Sequence, residues 1–169
     1  MMTVFYVVVL IILITATIGG LSAAPWVPTK GKDVGRMIDL AEIKNGDKVY
    51  DLGCGDGRLV FASATKGAKS VGVEIFILPY LYAKIKSFFI PGSEIKYGNF
   101  FRQDISDADV IFIFLMEKSY HKILDKFNRE LKPGTRVVIY CWPINEWADK
   151  LIIKSKPREI DLPIYSYKI

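Results

Sequence analysis

Three glycines in five positions, Gly53, Gly55 and Gly57, interrupt "VYDLGCGDGRLVF" between two apolar runs. Asp51 stands just before that turn and Asp56 inside it. Glycine reaches backbone angles closed to other residues and lets a ligand approach the main chain. A helix beginning near Gly57 offers free N–H groups to an anionic ligand group. About twenty residues on, "VGVEI" closes a second apolar run with Glu74, where an acid accepts hydrogen bonds from both hydroxyls of a ribose. Glycine turn and strand-end acid together point to an adenosine cofactor without choosing among them. The two aspartates choose. Beside a pyrophosphate they would repel it, whereas a cofactor with an ammonium and a sulfonium, such as S-adenosylmethionine, suits them.

The chain of 169 residues is 51% hydrophobic and 24% charged, enough for one domain with a real core and too little for two. Its net charge of +5 comes from Lys and Arg scattered through the second half. That reads as a solvated surface rather than a nucleic-acid stripe, and no nucleic-acid partner is expected. Cys54 and Cys141 have neither metal-ligand spacing nor disulfide density, and His121 is the lone histidine. No metal is expected.

From Met1 to Thr29 no side chain is charged. Residues 4–24 supply the roughly 20 apolar positions a helix needs to cross a bilayer core. A cleaved signal peptide is the competing reading, because "LSAA" offers small residues for cleavage. Against it, Lys and Arg are absent before the apolar run, and Pro25 follows the best cleavage site. A buried core helix would rarely lack a polar face. Residues 1–24 are therefore expected to be a retained single-pass anchor in a lipid bilayer. Lys30, Lys32 and Arg36 follow it and nothing basic precedes it, which places the following domain in the cytoplasm.

The elements that must position the turn come next. "PWVPTKGK", with residues 25–31 as linker, is extended because its prolines bias their predecessors away from helix. The domain then covers residues 32–169. "DVGRMIDLAEI" has helical apolar spacing. "KVYDLG", "SVGVEI", "EIKYGNF", "ADVIFIFLM" and "TRVVIYCWP" read as strands. "RLVFASATK", "YLYAKIKSFF" and "SYHKILDKFNREL" read as the intervening helices, and "KLIIKSK" with "LPIYSYKI" as a closing hairpin. The alternation predicts an α/β, Rossmann-like, doubly wound sheet of about seven strands, parallel apart from the closing antiparallel hairpin. Ligands of such sheets sit beyond the strand C-termini where strand order reverses, and the glycine turn follows the first strand.

"VYDLGCGDGR" resembles motif I of the class I S-adenosylmethionine-dependent methyltransferases. The N/D-P-P-Y/F box frequent in enzymes that methylate base amines is missing after the fourth strand, where the chain reads "IFIFLMEK". "PWVPT", "GAKSVGVEI", "GNFFRQDISDADVIFIFLM", "LKPGTRVV" and a later Trp occur in order between Pro25 and Trp147. Together they resemble the archaeal broad-specificity protein-lysine methyltransferases. They also resemble the membrane-anchored mitochondrial lysine methyltransferases of the ATP synthase c-subunit and the adenine nucleotide translocase. By position, the resemblance implies S-adenosylmethionine contacts from Asp51, Gly53, Gly55, Asp56 and Glu74, with Asn99 and Phe100 near the adenine. Thr29 closes over the methionine end, or serves as a helix N-cap or turn residue.

The resemblance implies transfer of a methyl group to lysine side chains of protein substrates, membrane proteins among them. An RNA or small-molecule methyltransferase of the same fold, or an inactive cofactor-binding interaction module, are the alternatives. A free lysine titrates near 10.4 and must arrive neutral, so an apolar channel that desolvates it assists. Trp26, Phe114, Leu115 and Trp142 are the channel candidates, with core packing an equal alternative for each. No general base stands out, with Asp104 and Glu117 as the candidates. One segment departs from the archaeal pattern: "IFILPYLYAKIKSFFIPG" is shorter and more apolar, and suits either a heavily buried helix or a face laid against a bilayer beside the anchor, with Lys84 and Lys86 at the headgroups.

Overall fold

The computed structural model describes residues 2–22 and 27–169, with twelve regular elements. Helix α1 is Met2–Ser22, α2 Gly31–Ala41, α3 Arg58–Ala64, α4 Ile77–Ser87 and α5 Tyr120–Glu130. The strands are β1 Lys48–Leu52, β2 Lys69–Glu74, β3 Ser93–Tyr97, β4 Val110–Ile113, β5 Arg136–Tyr140, β6 Leu151–Ser155 and β7 Ile164–Lys168. They form one seven-stranded sheet in the order β3-β2-β1-β4-β5-β7-β6. The first five pair parallel, while β7 pairs antiparallel with both β5 and β6. The expected architecture of the domain is therefore present, including the strand count and the closing hairpin. Its second strand, β7, inserts next to β5 and leaves β6 at the edge.

Burial explains the layers. Val49 to Leu52, Ser70 to Glu74 and all of β4 are buried, as central parallel strands covered on both faces must be. One face carries α2, α3 and α4. Met37, Ile38 and Ala41 of α2 close on Val49, Phe112, Val138 and Tyr140, and Phe61 and Ala83 close on Ile95. The other face carries α5, whose Tyr120, Ile123, Leu124 and Phe127 recur at helical spacing and meet Leu52, Ile113 and Ile139.

Several boundaries differ from the expected ones. Helix α4 begins at Ile77, with Pro79 in its first turn, where a missing N–H removes no intrahelical bond. Strand β3 stops at Tyr97, because Gly98 takes a φ of 152° and Asn99 caps a 3₁₀ turn over Phe100–Arg102. Strand β4 ends at Ile113, four residues into the apolar run.

Helix α1 lies beside α4. Residues 23 to 26 of the expected anchor and linker fall outside the described residues. So do the side chains of Val8, Ile11, Ala16 and Ile18 to Ser22 within α1. Among the described residues, no helix is long and apolar enough to cross a membrane.

Candidate cofactor site

The glycine turn leaves β1 between its partners β2 and β4, at the switch in strand order where such sheets bind ligands. Gly53 has a φ of 88° and Gly57 one of 79°, conformations that glycine alone adopts at little cost. A Cβ built on Gly53 meets nothing within 4 Å, so the turn keeps an open approach to its backbone there. Gly72 of β2 does the opposite: a Cβ would lie 2.6 Å from Cys54 Sγ. That glycine lets the turn pack directly onto the strand.

The three acids of the site have separate partners. Glu74 Oε2 accepts from Gly55 N at 2.8 Å, and Oε1 accepts from Ile75 N and Phe76 N at 2.8 and 2.7 Å. A carboxylate has about four acceptor positions, so Glu74 can clasp the turn and still face a ribose. Asp56 is gripped by Arg58, Nε to Oδ1 at 2.8 Å and Nη2 to Oδ2 at 2.5 Å. This bidentate pair holds the Asp56 carboxyl below its usual range, so its charge is already neutralised by the chain.

Asp51 is buried, and no described residue hydrogen-bonds its carboxylate. Burial, then the charges of Glu74 and Asp56, push it up to about 8. A buried carboxylate without a partner is costly, and a cationic ligand group would lower that cost. The same burial, with Asp51 and Glu74 nearby, raises the Cys54 thiol. The donor set thus fits S-adenosylmethionine: an open glycine backbone, a strand-end acid for ribose hydroxyls and an unpartnered acid for the cationic end.

Arg58 has a further role that the sequence pattern does not reveal. Its Nη1 also donates to the Thr29 carbonyl, tying the segment before α2 to the glycine turn. Thr29 is buried and does not cap α2, where Lys30 holds the N-cap position without a side-chain bond. The available signal was the one charged residue of α3, at its first position.

Asn99 Oδ1 accepts from Phe101 N at 3.0 Å, which leaves its amide donors to face an adenine edge. Phe100 is 7% exposed and belongs to the core on the α5 face. Its neighbour Phe101, 4.4 Å away ring to ring, is the more open of the two.

The channel candidates separate. Leu115 is core, at 3% exposure. Phe114 is half-buried and sets its edge against Tyr140, with ring centroids 4.8 Å apart. Trp142 is 45% exposed, and its carbonyl accepts from the Tyr120 hydroxyl at 2.7 Å. Between Tyr140 and Trp142 the chain passes through Cys141 at a φ of 83°, a strained conformation for a non-glycine residue. Trp26 lies outside the described residues. Asp104 and Glu117 are exposed, and Asp104 is occupied by the Ser106 N–H at 2.9 Å. Among the described residues, no three His, Cys, Asp or Glu side chains gather to hold a metal ion.

Comparison with known proteins agrees with this chemistry. Residues 51–150 match the family described as ANTKMT methyltransferase domain. A protein-lysine N-methyltransferase of Saccharolobus islandicus is 40% identical over 150 residues, covering 86% of this chain and 93% of that protein. The human lysine N-methyltransferase of the ATP synthase c-subunit is 28% identical over 127 residues, 73% of this chain and 54% of that protein. Among solved structures, an RNA methyltransferase from Salinibacter ruber in complex with S-adenosyl-L-homocysteine is 33% identical. It superposes with a TM-score of 0.77 over 85% of this chain and 94% of that one. The chain belongs to the ANTKMT methyltransferase family, and S-adenosylmethionine is its cofactor.

Proposed function

We propose that this protein is a membrane-anchored enzyme that methylates the side-chain amine of protein lysines. The observation that carries the lysine assignment is the Saccharolobus islandicus protein-lysine N-methyltransferase, matched over nearly its whole length. S-adenosylmethionine supplies an electrophilic methyl on a positive sulfonium, so the protein has little covalent chemistry to perform. Asp51 and Glu74 hold and orient, and the Arg58 clasp fixes the turn. Phe114 and Trp142, at the ends of β4 and β5, border the side from which an acceptor amine enters. Their apolar surface favours the neutral amine over the ammonium, and positioning with loss of water carries the rate. With Asp104 and Glu117 exposed, deprotonation rests on desolvation and not on a general base.

The anchor reading rests on the sequence, where residues 4–24 carry no charged side chain and supply about 20 apolar positions. Of the basic residues after that segment, Lys32 pairs with Asp161 at 2.5 Å and Arg36 with Asp33 at 2.7 Å in the folded domain. The positive-inside rule acts on sequence order during insertion, so these pairs leave the cytoplasmic assignment of the domain standing.

The Salinibacter ruber structure favours a second reading, methylation of RNA. Transfer of tritiated methyl groups from S-adenosylmethionine to a membrane extract separates the two. Label removed by protease and untouched by RNase is expected; label removed by RNase alone overturns the lysine assignment.

A further inference from the structure

Helix α4 and the turn after it expose apolar side chains that the site does not use. Leu78, Leu81, Tyr82 and Ile85 are 46–62% exposed, and Phe88 and Phe89 reach 75% and 80%. Pro79 and Ala83 of α4 are buried and Tyr80 packs against the core beside them. A contiguous patch of this kind on a single domain marks an interaction surface. Two features identify what covers it. From Ile75 to Ser93 the chain contains no acid, and its only charges are Lys84 and Lys86. Lys84 Nζ reaches the Ile95 carbonyl at 3.2 Å and lies 5.7 Å from the Phe88 ring centroid, while Lys86 Nζ lies 5.0 Å from the Phe61 ring centroid. Both stems therefore run along apolar surface with the charge at its rim, as side chains do at a lipid interface. Of the acids around the segment, Glu94 is on edge strand β3 with Lys96 at 3.9 Å, Glu74 is held by backbone N–H groups, and Asp56, which feels the charge of Lys86, is already paired with Arg58. Second, α1 lies directly beside α4, so the patch continues the surface of the proposed anchor.

We infer that the exposed face of α4, with Phe88 and Phe89 at its end, docks onto an anionic bilayer surface. The inference rests on the anchor reading of α1. Aromatic and aliphatic side chains enter the headgroup–acyl boundary to a depth of about 5–10 Å, and Lys84 and Lys86 meet anionic headgroups. Helix α4 starts three residues after Glu74, so docking brings the cofactor site close to the membrane plane. Lysines at the membrane surface are then the acceptors within reach.

The test uses the full chain with Cys141→Ser, so that a fluorescent label goes to one introduced thiol, Cys54 being buried. Phe88→Cys places the label on the α4 face. Lys122→Cys, on exposed α5 across the sheet, is the control. Both proteins are reconstituted with vesicles of phosphatidylcholine and phosphatidylserine carrying nitroxide on the acyl chain. Loss of most emission at position 88 with little loss at 122, weakened in vesicles of phosphatidylcholine alone, is the expected result. Co-flotation with vesicles without quenching at 88 overturns the docking face and spares the anchor. Energy transfer between labelled copies at 88 without lipid quenching overturns it in favour of a second copy of the chain. Failure to co-float overturns the anchor and the docking face together.

Discussion

Replacing Asp51 by Asn should stabilise the ligand-free protein while removing cofactor binding. Burial, with Glu74 and Asp56 adding to it, carries this carboxyl up to about 8, against about 3.9 for an ordinary Asp in an unfolded chain. At pH 7 that difference destabilises the fold by on the order of 4 kcal/mol. The sign is set by the direction of the shift. The penalty is absent below the unfolded value, grows as pH rises toward 8 and is constant above it. Asn removes the charge at equal volume but leaves a buried polar group unpartnered, which offsets about 1–3 kcal/mol of the gain. A net gain of about 2 kcal/mol raises the melting temperature of a chain this long by about 4–8 °C. Binding moves the other way: losing a buried charge partner costs about 3 kcal/mol or more, a fall in affinity of at least about a hundredfold. Scanning calorimetry from about pH 5 to about pH 9, with and without S-adenosylmethionine, reads both effects. In the unsubstituted protein near pH 7, binding should also release close to one proton, seen as a dependence of the binding heat on buffer. An Asn variant that melts below the unsubstituted protein across that range, or binds the cofactor equally well, refutes the role given to Asp51.

Arg58→Lys keeps the charge but loses the fork that holds Asp56 and the Thr29 carbonyl together. Its cofactor affinity should fall by about tenfold, the worth of one charge-assisted hydrogen bond, measured by titration calorimetry. Gly53→Ala meets no atom within 4 Å but sits at a φ of 88°. Strain of about 1–2 kcal/mol should appear in urea unfolding, together with a larger loss of cofactor binding, because the new methyl occupies the ligand's approach. Asp33→Asn breaks a buried network, since Asp33 accepts from Tyr140 at 2.5 Å and from Arg36 at 2.7 Å. Burial alone would raise the Asp33 carboxyl, yet those two bonds hold it below its usual range. Its stabilisation is therefore present above the ordinary Asp value and disappears in acid. The variant should lose about 3 kcal/mol at neutral pH, with the gap to the unsubstituted protein closing as pH falls, as followed by thermal melts.

The sheet and the cofactor turn are legible in the sequence because each depends on local rules. Buried parallel strands need unbroken apolar runs such as "VIFI", and the turn needs glycine where φ is positive. What stays hidden depends on partners distant in the chain. Arg58 gives no hint that it will grip a carbonyl 29 residues away, and nothing in "DVGRMIDLAEI" shows that Asp33 will be fully buried against Tyr140, 107 residues on. The strand at Glu94 reads too long because "YGNF" continues the apolar pattern, while Gly98 and the Asn99 cap end the pairing. Phe100 and Leu115 follow the pattern of neighbouring site residues, but they point into the α5-side core.

The division of labour among three acids explains how the turn selects its ligand. Three carboxylates this close cannot all remain as bare charges, because each would raise the others. The chain neutralises Asp56 with Arg58, and Glu74 is stabilised by three backbone N–H groups. Asp51 alone is left without a partner. Asp51 is largely protonated near pH 7 without a ligand and gives up its proton when a cationic group arrives, so the site becomes most negative only where a positive ligand stands. S-adenosylmethionine carries a sulfonium and an ammonium against one carboxylate, a net single positive charge. After methyl transfer the sulfonium charge is gone and the product is neutral overall. The same arrangement that favours the donor thus loses much of its attraction for the product, so S-adenosylhomocysteine should leave more readily than its charge-independent contacts would allow.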